Sequence, residues 1–149
     1  MKLTSGFDVT ASALTAQRLR MDVISSNIAN AETTRGSYVN GSYEPYKRKM
    51  VVLEPMKPSF SQMLNAQMNG SGVTAGVKAA RIVEDQAAPR LMYNPSHPDA
   101  DALGYVKMPN VDVMKEMVDM ISASRSYEAN VTALNATKAM FMKALEIGK

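Results

Sequence analysis

The stretch NVDVMKEMVDMISASRSYEANVTALNATKAMFMKALEIGK, residues 110–149, contains no proline and no glycine before Gly148. Within it one apolar residue recurs every seven positions, the spacing of a single stripe along an α-helix: Val113, Met120, Tyr127, Leu134 and Phe141. Three further apolar residues stand four positions beyond members of that stripe: Met117, Val131 and Leu145. The pattern predicts one long helix with a coiled-coil-like apolar seam, capped at its start by Asn110.

The beginning of the chain carries the same spacing. Its apolar stripe also recurs every seven residues: Phe7, Leu14, Met21 and Ile28. This predicts a helix over about residues 4–30, followed by a turn in the Asn- and Gly-containing segment 27–36. A chain of 149 residues is too short to bury the whole seam of the C-terminal helix. The N-terminal helix can cover part of it as an antiparallel partner, so the remainder needs neighbouring molecules.

The middle zone, residues 36–109, holds all seven prolines. Met50–Leu53 and Val77–Val83 have the composition of short strands. Residues 58–76 are predicted to form a mobile loop with one helical turn around 60–68, and residues 89–109 an extended, turn-rich stretch. The predicted fold class is mainly α with a small β-rich insertion, in which long N- and C-terminal helices pack as a coiled-coil-like pair around a β-hairpin and loop region. The expected divisions are 1–35, 36–109 and 110–149, with the first and last forming one assembly domain.

Composition excludes several classes of site. The chain has no cysteine, which removes disulfides, thiolate catalysis and Cys-based zinc sites. The net charge of +3 is spread along the sequence, and the only tight basic run, Lys47–Arg48–Lys49, is interpreted as the solvated part of a strand rather than a nucleic-acid contact. No apolar run is long enough to span a membrane, and residues 1–8 have no secretory signal core.

The polar residues of the middle zone do not form a recognisable reaction centre. His97 is the only histidine and stands between Pro95 and Pro98, which predicts a rigid turn rather than a metal ligand. Asp99 and Asp101 match part of a calcium loop but lack its final glutamate, which favours a solvated acidic turn. The sequence therefore predicts no enzyme, no catalytic, cofactor-binding or metal site, and no small-molecule substrate.

Four asparagines lie on or near the two apolar seams: Asn27, Asn30, Asn130 and Asn135. An amide side chain can satisfy the backbone at a helix end or donate and accept hydrogen bonds across an interface. In a coiled coil such a residue fixes the register of the partners. We therefore predict an assembly interface made of these amides together with the apolar stripe residues and Met117, Val131 and Leu145.

Four stretches of the chain resemble a known family. The segment SSNIANAET, residues 25–33, together with ALTAQRLRM at 13–21, resembles the signature of bacterial flagellar rod, hook and hook-associated proteins. The segments YNPSHPDAD at 93–101 and SASRSYEANV at 122–131 are similar to those of proximal rod subunits, and the short length fits these better than the longer distal rod and hook subunits.

The resemblance implies a structural subunit of the proximal rod, located in the periplasm. Such a subunit would polymerise through its terminal helices into a hollow shaft that transmits motor torque to the hook and lets exported subunits pass. Its implied partners are copies of itself, other proximal and distal rod subunits, the rod-to-motor-ring adaptor and the flagellar type III export apparatus, which needs no cleaved signal peptide. Another axial or type III secretion-associated subunit, or an enzyme acting on the cell wall, remains an alternative.

Overall fold

A computed structural model describes residues 5–39, 41–69 and 75–147. Two long helices enclose a middle zone of short strands, which confirms the predicted fold class. The elements are α1 (Ser5–Ala29), β1 (Ser37–Val39), β2 (Ser42–Glu44), β3 (Lys49–Pro55), α2 (Phe60–Asn69), β4 (Val77–Glu84), β5 (Arg90–Tyr93), β6 (Tyr105–Met108) and α3 (Val113–Ile147). Within the described ranges, no helix is both long enough and apolar enough to cross a membrane.

The start of α3 differs from the prediction. Asp112, not Asn110, caps the helix, because its Oδ1 accepts hydrogen bonds from the backbone N–H of Met114 at 3.0 Å and of Lys115 at 3.4 Å. A side-chain acceptor directly before the first helical residue satisfies N–H groups that have no partner inside the helix. The helix therefore begins at Val113, and the expectation of a cap at Asn110 was wrong.

The end of α1 is as predicted. The backbone N–H of Asn30 bonds the carbonyl of Ser26 at 3.1 Å, and the side-chain amide of Asn30 donates to the same oxygen at 2.9 Å. Two further backbone bonds, from Ala31 to Ile28 and from Thr33 to Asn30, turn the chain out of the helix. The side-chain amide of Asn30 therefore adds a second hydrogen bond to a carbonyl near the end of the helix.

Strands β3 and β4 confirm the two predicted strands and form a two-stranded sheet. The segment 58–76 was only partly predicted, since α2 spans Phe60–Asn69 where one helical turn in a loop was expected, and 70–74 lie outside the described residues. Two hairpin-like sheets were not predicted at all. β1 pairs with β2, and β5 pairs antiparallel with β6 from Arg90 opposite Met108 to Tyr93 opposite Tyr105.

The chain divides into two compact units. The first comprises residues 1–19, 52–81 and 123–149. In it the beginning of α1 packs on the end of α3, where the rings of Phe7 and Phe141 meet edge to face with centroids 6.4 Å apart. Gly6 lies in the same place, and a Cβ added there would reach ordinary contact with Thr137.

The second unit comprises residues 20–51 and 82–122. Here the end of α1 packs on the beginning of α3, with Arg20 opposite Asp119 and Asn27 opposite Glu116. The residue numbers rise along α1 while they fall along α3, so the two helices are antiparallel in this unit, as predicted. Its buried apolar residues are Val23, Ile24, Val106 and Val111.

The face of α3 that is turned inward differs in one row from the predicted seam. The row three positions after the stripe members is buried or half-buried throughout: Glu116, Ala123, Asn130 and Thr137. Met117 and Leu145, four positions after stripe members, are exposed, and Val131 is half-buried. Small residues such as Ala123 allow another helix to approach closely, whereas a row of methionine and leucine would hold it away.

Candidate assembly surfaces

The residues predicted to form the assembly interface fall into three groups in the isolated chain. Asn27 is buried. Half-buried positions are Phe7, Leu14, Met21, Ile28, Asn30, Met120, Tyr127, Asn130, Val131 and Leu134. Exposed positions are Val113, Met117, Asn135, Phe141 and Leu145. The half-buried group lies on faces that the chain already covers in part, so the exposed group carries the apolar surface that is free for another molecule.

An exposed apolar stripe, which we call the α3 patch, occupies the first two turns of α3. It consists of Met114, Met117, Val118 and Ile121, spaced as one helical face. Val118 is 65% exposed. Of these residues, the sequence analysis predicted only Met117 as an interface residue. Met114 and Ile121 are seven residues apart, and this spacing could have indicated a second apolar stripe. Further along the same face the residues become polar, beginning with Arg125 and Glu128, which form an exposed ion pair.

The last turns of α3 are largely exposed, although Phe141 contacts Phe7. Residues 139–146 include four large apolar side chains, Met140, Phe141, Met142 and Leu145. The two charged residues among them, Lys143 and Glu146, form an ion pair with an N–O distance of 2.6 Å. Contiguous exposed apolar side chains of this kind mark a surface of contact with another molecule.

Helix α2 exposes four large apolar side chains. Phe60 is 80% exposed, and Met63, Leu64 and Met68 are also exposed, at spacings that place them on one face of the helix. The helix sequence FSQMLNAQMN contains no charged residue. We call this surface the α2 face.

A buried polar cluster lies beside the end of α1 in the second unit. The side-chain amide of Asn27 donates to the carbonyl of Lys49 at 2.8 Å and accepts from the N–H of the same residue at 2.9 Å. It also accepts from the hydroxyl of Tyr46 at 3.0 Å and donates to Oε2 of Glu116 at 3.0 Å. The amide therefore pairs with Lys49 as a neighbouring strand would, and holds the start of β3 against α1 and α3.

Glu116 is the charged centre of that cluster and is 1% exposed. The Nε and Nη2 atoms of Arg48 both lie 2.6 Å from its Oε1. Arg48 is 16% exposed and also lies near Asp85 and Asp119, at 3.8 and 3.9 Å. A carboxylate can be buried when its oxygens receive such charge-assisted bonds. The interpretation of Lys47–Arg48–Lys49 as a solvated basic run was therefore wrong for Arg48, whose partner is 68 residues away.

The other interface asparagines have simpler surroundings. Asn130 donates to the carbonyl of Ser126 in its own helix at 2.8 Å, as Asn30 does to Ser26. Asn135 is exposed. Of the four asparagines, Asn27 is the one whose amide is shown to join separate elements of the chain. Inside the subunit, Asn27 therefore fixes the position of α1 relative to β3 and α3.

Asp99 joins the turn after α1 to the turn between β5 and β6. The hydroxyl of Thr34 donates to its Oδ2 at 2.8 Å, and Arg35 donates to its Oδ1 from Nε at 2.8 Å and from Nη2 at 2.6 Å. These contacts, the Arg35 hydrogen bonds foremost and Thr34 next, lower the pKa of Asp99 below its ordinary value of 3.8. His97 forms part of a turn, as predicted, and its Nδ1 accepts from the N–H of Asp99.

The lowered pKa makes a prediction about acid sensitivity. Stability from Asp99 is fully present above its ordinary pKa and is lost as the pH falls below 3.8 towards the lower pKa of the folded chain. Replacing Arg35 with Gln removes the main cause, so the pKa of Asp99 should rise. A carboxyl-carbon NMR titration of both proteins measures it, with Arg125→Gln as the control that leaves Asp99 untouched. An unchanged pKa in Arg35→Gln would contradict the assignment.

Among the residues that the structure describes, no group of three or more histidines and acidic residues could hold a metal ion. The two aspartates that match part of a calcium loop have other contacts. Asp99 binds Arg35 and Thr34, and the backbone of Asp101 bonds Tyr105 and Gly104.

Comparison with known proteins shows the family to which the chain belongs. A family model described as flagella basal body rod protein matches residues 7–35, and one described as flagellar basal body rod FlgEFG protein C-terminal matches residues 102–147. A Bacillus subtilis protein named flagellar basal-body rod protein FlgC is 62% identical over 95% of both chains. Proteins of the same name from Escherichia coli O6:H1 and Borreliella burgdorferi are 46% and 44% identical over at least 98% of both chains. The chain belongs to the FlgC family of flagellar basal-body rod proteins.

Membership of the FlgC family makes the chain a structural subunit of the basal-body rod, which confirms the predicted function. A rod subunit assembles with other components of the rod, and its place is the flagellar basal body. The two segments matched by the basal-body rod family models contain α1 from Phe7 onward and all of α3. They therefore include both Asn27 and Glu116, the α3 patch and the exposed end of α3.

Proposed function

We propose that this rod subunit polymerises through its terminal helices, with copies of itself and other proximal and distal rod proteins, into a hollow shaft. The shaft carries torque from the motor ring, through its adaptor, to the hook, and its lumen lets later subunits pass. The observation that carries the proposal is the α3 patch with Val118 at 65% exposure. A long helix that leaves one face apolar and exposed is stabilised when a neighbour covers that face.

The buried polar cluster supports the mechanical part of the proposal. A subunit that transmits torque must keep its shape when its neighbours push on it. Asn27 and Glu116 fix the end of α1, the start of β3 and the start of α3 to one another through direct hydrogen bonds. Hydrogen-bonded buried groups specify one arrangement of the elements, because any shift leaves a polar group without its partner.

The subunit reaches its place in the periplasm through the flagellar type III export apparatus, without a cleaved signal peptide. Support for this proposal comes from membership of the FlgC family. The predicted assembly interface, from Phe7 to Leu145, comprises the stripe residues and seam asparagines on the two terminal helices. The exposed members of that set contact neighbours directly, and the half-buried members hold the two helices together.

Leu145→Asp tests the use of the helix end in assembly. Leu145 is 57% exposed, so the substitution leaves the subunit folded. In the rod it would place a carboxylate in a contact that excludes water, which costs several kcal/mol. We expect cells producing only this variant to make normal amounts of the chain and to be non-motile, with the chain missing from isolated basal bodies.

Lys143→Gln is the matched control, because it changes an exposed charge in the same turns of the helix. Cells with this variant should swim. Motile cells carrying Leu145→Asp, with the chain present in their rods, would refute polymerisation through this helix end.

A further inference from the structure

Two apolar surfaces of the chain, the α2 face and the α3 patch, belong to different compact units and are both exposed. We propose that the α2 face of one subunit docks on the α3 patch of a second copy of the chain. The inference rests on the proposed polymerisation and assigns one specific contact within it. Nothing in the family names or the matched family segments assigns a role to α2, which lies outside both segments.

The two surfaces match in length and in spacing. On α2 the apolar residues run from Phe60 to Met68, and on α3 they run from Met114 to Ile121. At about 1.5 Å per residue both stripes extend about 10–12 Å, or two helical turns. Each stripe has the i, i+3, i+4 spacing with which one helix packs on another. The α3 patch ends where Arg125 and Glu128 begin, so a longer helix would meet charged side chains.

The absence of charge on α2 indicates that the α2 face contacts a protein rather than a lipid surface. Helices that lie on membranes carry lysine and arginine on their polar side, where these residues meet anionic headgroups. α2 has no charged residue at all. An uncharged helix can be buried against another apolar helix without leaving any charge unpaired. The methionines at 63, 68, 114 and 117 add flexible side chains that adapt to the shape of a neighbouring helix.

The proposed contact has the symmetry that a shaft requires. It joins two different surfaces of the same chain, so the second copy still offers its own α2 face to a third. Such heterologous contacts generate open helical assemblies when the rotation between copies does not close into a ring. A contact between two identical surfaces would stop at a pair.

Disulfide trapping tests the contact directly, because the natural chain has no cysteine to interfere. The full-length chain carrying both Leu64→Cys and Val118→Cys is produced in flagellated cells in place of their own chain. Basal bodies are isolated, oxidised and analysed by non-reducing electrophoresis. We expect dimers and longer ladders, because each copy would place its residue 64 within disulfide distance of residue 118 in the next copy.

The matched control is the pair Leu64→Cys and Thr132→Cys. Position 132 is exposed and lies two seven-residue repeats beyond position 118, in the polar part of the same helix face. The cross-linked fraction should be at least about tenfold lower there, since a thiol outside the contact has a far lower effective concentration. Each single-cysteine variant should remain monomeric.

Three results would overturn the inference. One is a cross-linked fraction no higher than the control in basal bodies that contain the chain, as shown on a reducing gel. Another is dimerisation of either single-cysteine variant, which would indicate like-with-like pairing. The third is capture of a different rod protein by a photo-crosslinking residue at position 64. In each case the chain is present in the rod, so polymerisation itself still stands. Absence of the unaltered chain from rods would instead refute the proposed function.

Discussion

Val118→Asp should prevent incorporation of the chain into the rod while leaving the subunit folded. The side chain is 65% exposed in the isolated chain, so a carboxylate there costs the folded subunit little. In the assembled shaft the same carboxylate would be enclosed between apolar side chains. Burying an unpaired carboxylate costs at least about 3 kcal/mol. A cost of that size reduces the affinity of one contact between subunits roughly a hundredfold.

The measurement is the amount of chain in isolated basal bodies, together with swimming in soft agar and the circular dichroism of the purified subunit. Thr132→Asp is the matched control, since it places the same charge on the same helix in the polar part of the exposed face. We expect a normal helical spectrum from both variants, and rods from the control alone. Wild-type swimming with Val118→Asp would show that no neighbour covers the α3 patch.

Glu116→Ala should lower the free energy of unfolding of the subunit by about 3 kcal/mol, near the lower end of the range for breaking a buried ion pair. The carboxylate is 1% exposed and binds Arg48 and Asn27. Removing it leaves the Arg48 guanidinium mostly buried, with only the more distant Asp85 and Asp119 nearby. Because those two carboxylates still neutralise part of the Arg48 charge, we expect a loss of unfolding free energy near the lower end of the range for a broken buried ion pair.

Urea denaturation followed by circular dichroism measures the change. Glu128→Ala is the control, because Glu128 lies on the same helix and forms an exposed ion pair with Arg125. A solvent-exposed ion pair contributes only about 0–1 kcal/mol to stability. Glu116→Gln should fall between the two, because it keeps an acceptor for Asn27 but not the charge for Arg48. Equal stability of Glu116→Ala and Glu128→Ala would contradict the central role given to the cluster.

Local patterns were enough to predict the two long helices. The seven-residue stripes through Leu14 and Leu134 report the periodicity of a helix whatever lies beside it. The same is true of β3 and β4, whose runs of apolar residues are bounded by turn residues. The short strands β1, β2, β5 and β6 have only three or four residues each, too few for an alternation to stand out. Their pairing depends on the turns between them, as at Gly41, whose φ is +84°.

The candidate surfaces were only partly predictable for a related reason. Beside a seven-residue stripe lie two rows of residues, three and four positions further along the chain. The row with Met117 and Leu145 is the more apolar one, so the sequence pattern places it in the predicted seam. The chain turns the other row inward, where Ala123 is fully buried and Glu116 binds Arg48. The apolar row is left outside. Met117 and Leu145 of this row were predicted as interface residues and are exposed, whereas Val131 is half-buried, so the apolar pattern alone did not show which row α1 covers.

The sequence by itself determined the two terminal helices, the β-rich middle and, through motifs such as residues 25–33, the rod protein family. These features depend on residues close together in the chain, or on similarity along it. Only the tertiary structure decided which row of α3 faces α1, that Glu116 is buried with Arg48, and that the α3 patch and the α2 face remain exposed. The physical reason is that burial is a property of pairs of surfaces, and paired residues such as Arg48 and Glu116 lie 68 positions apart in the chain.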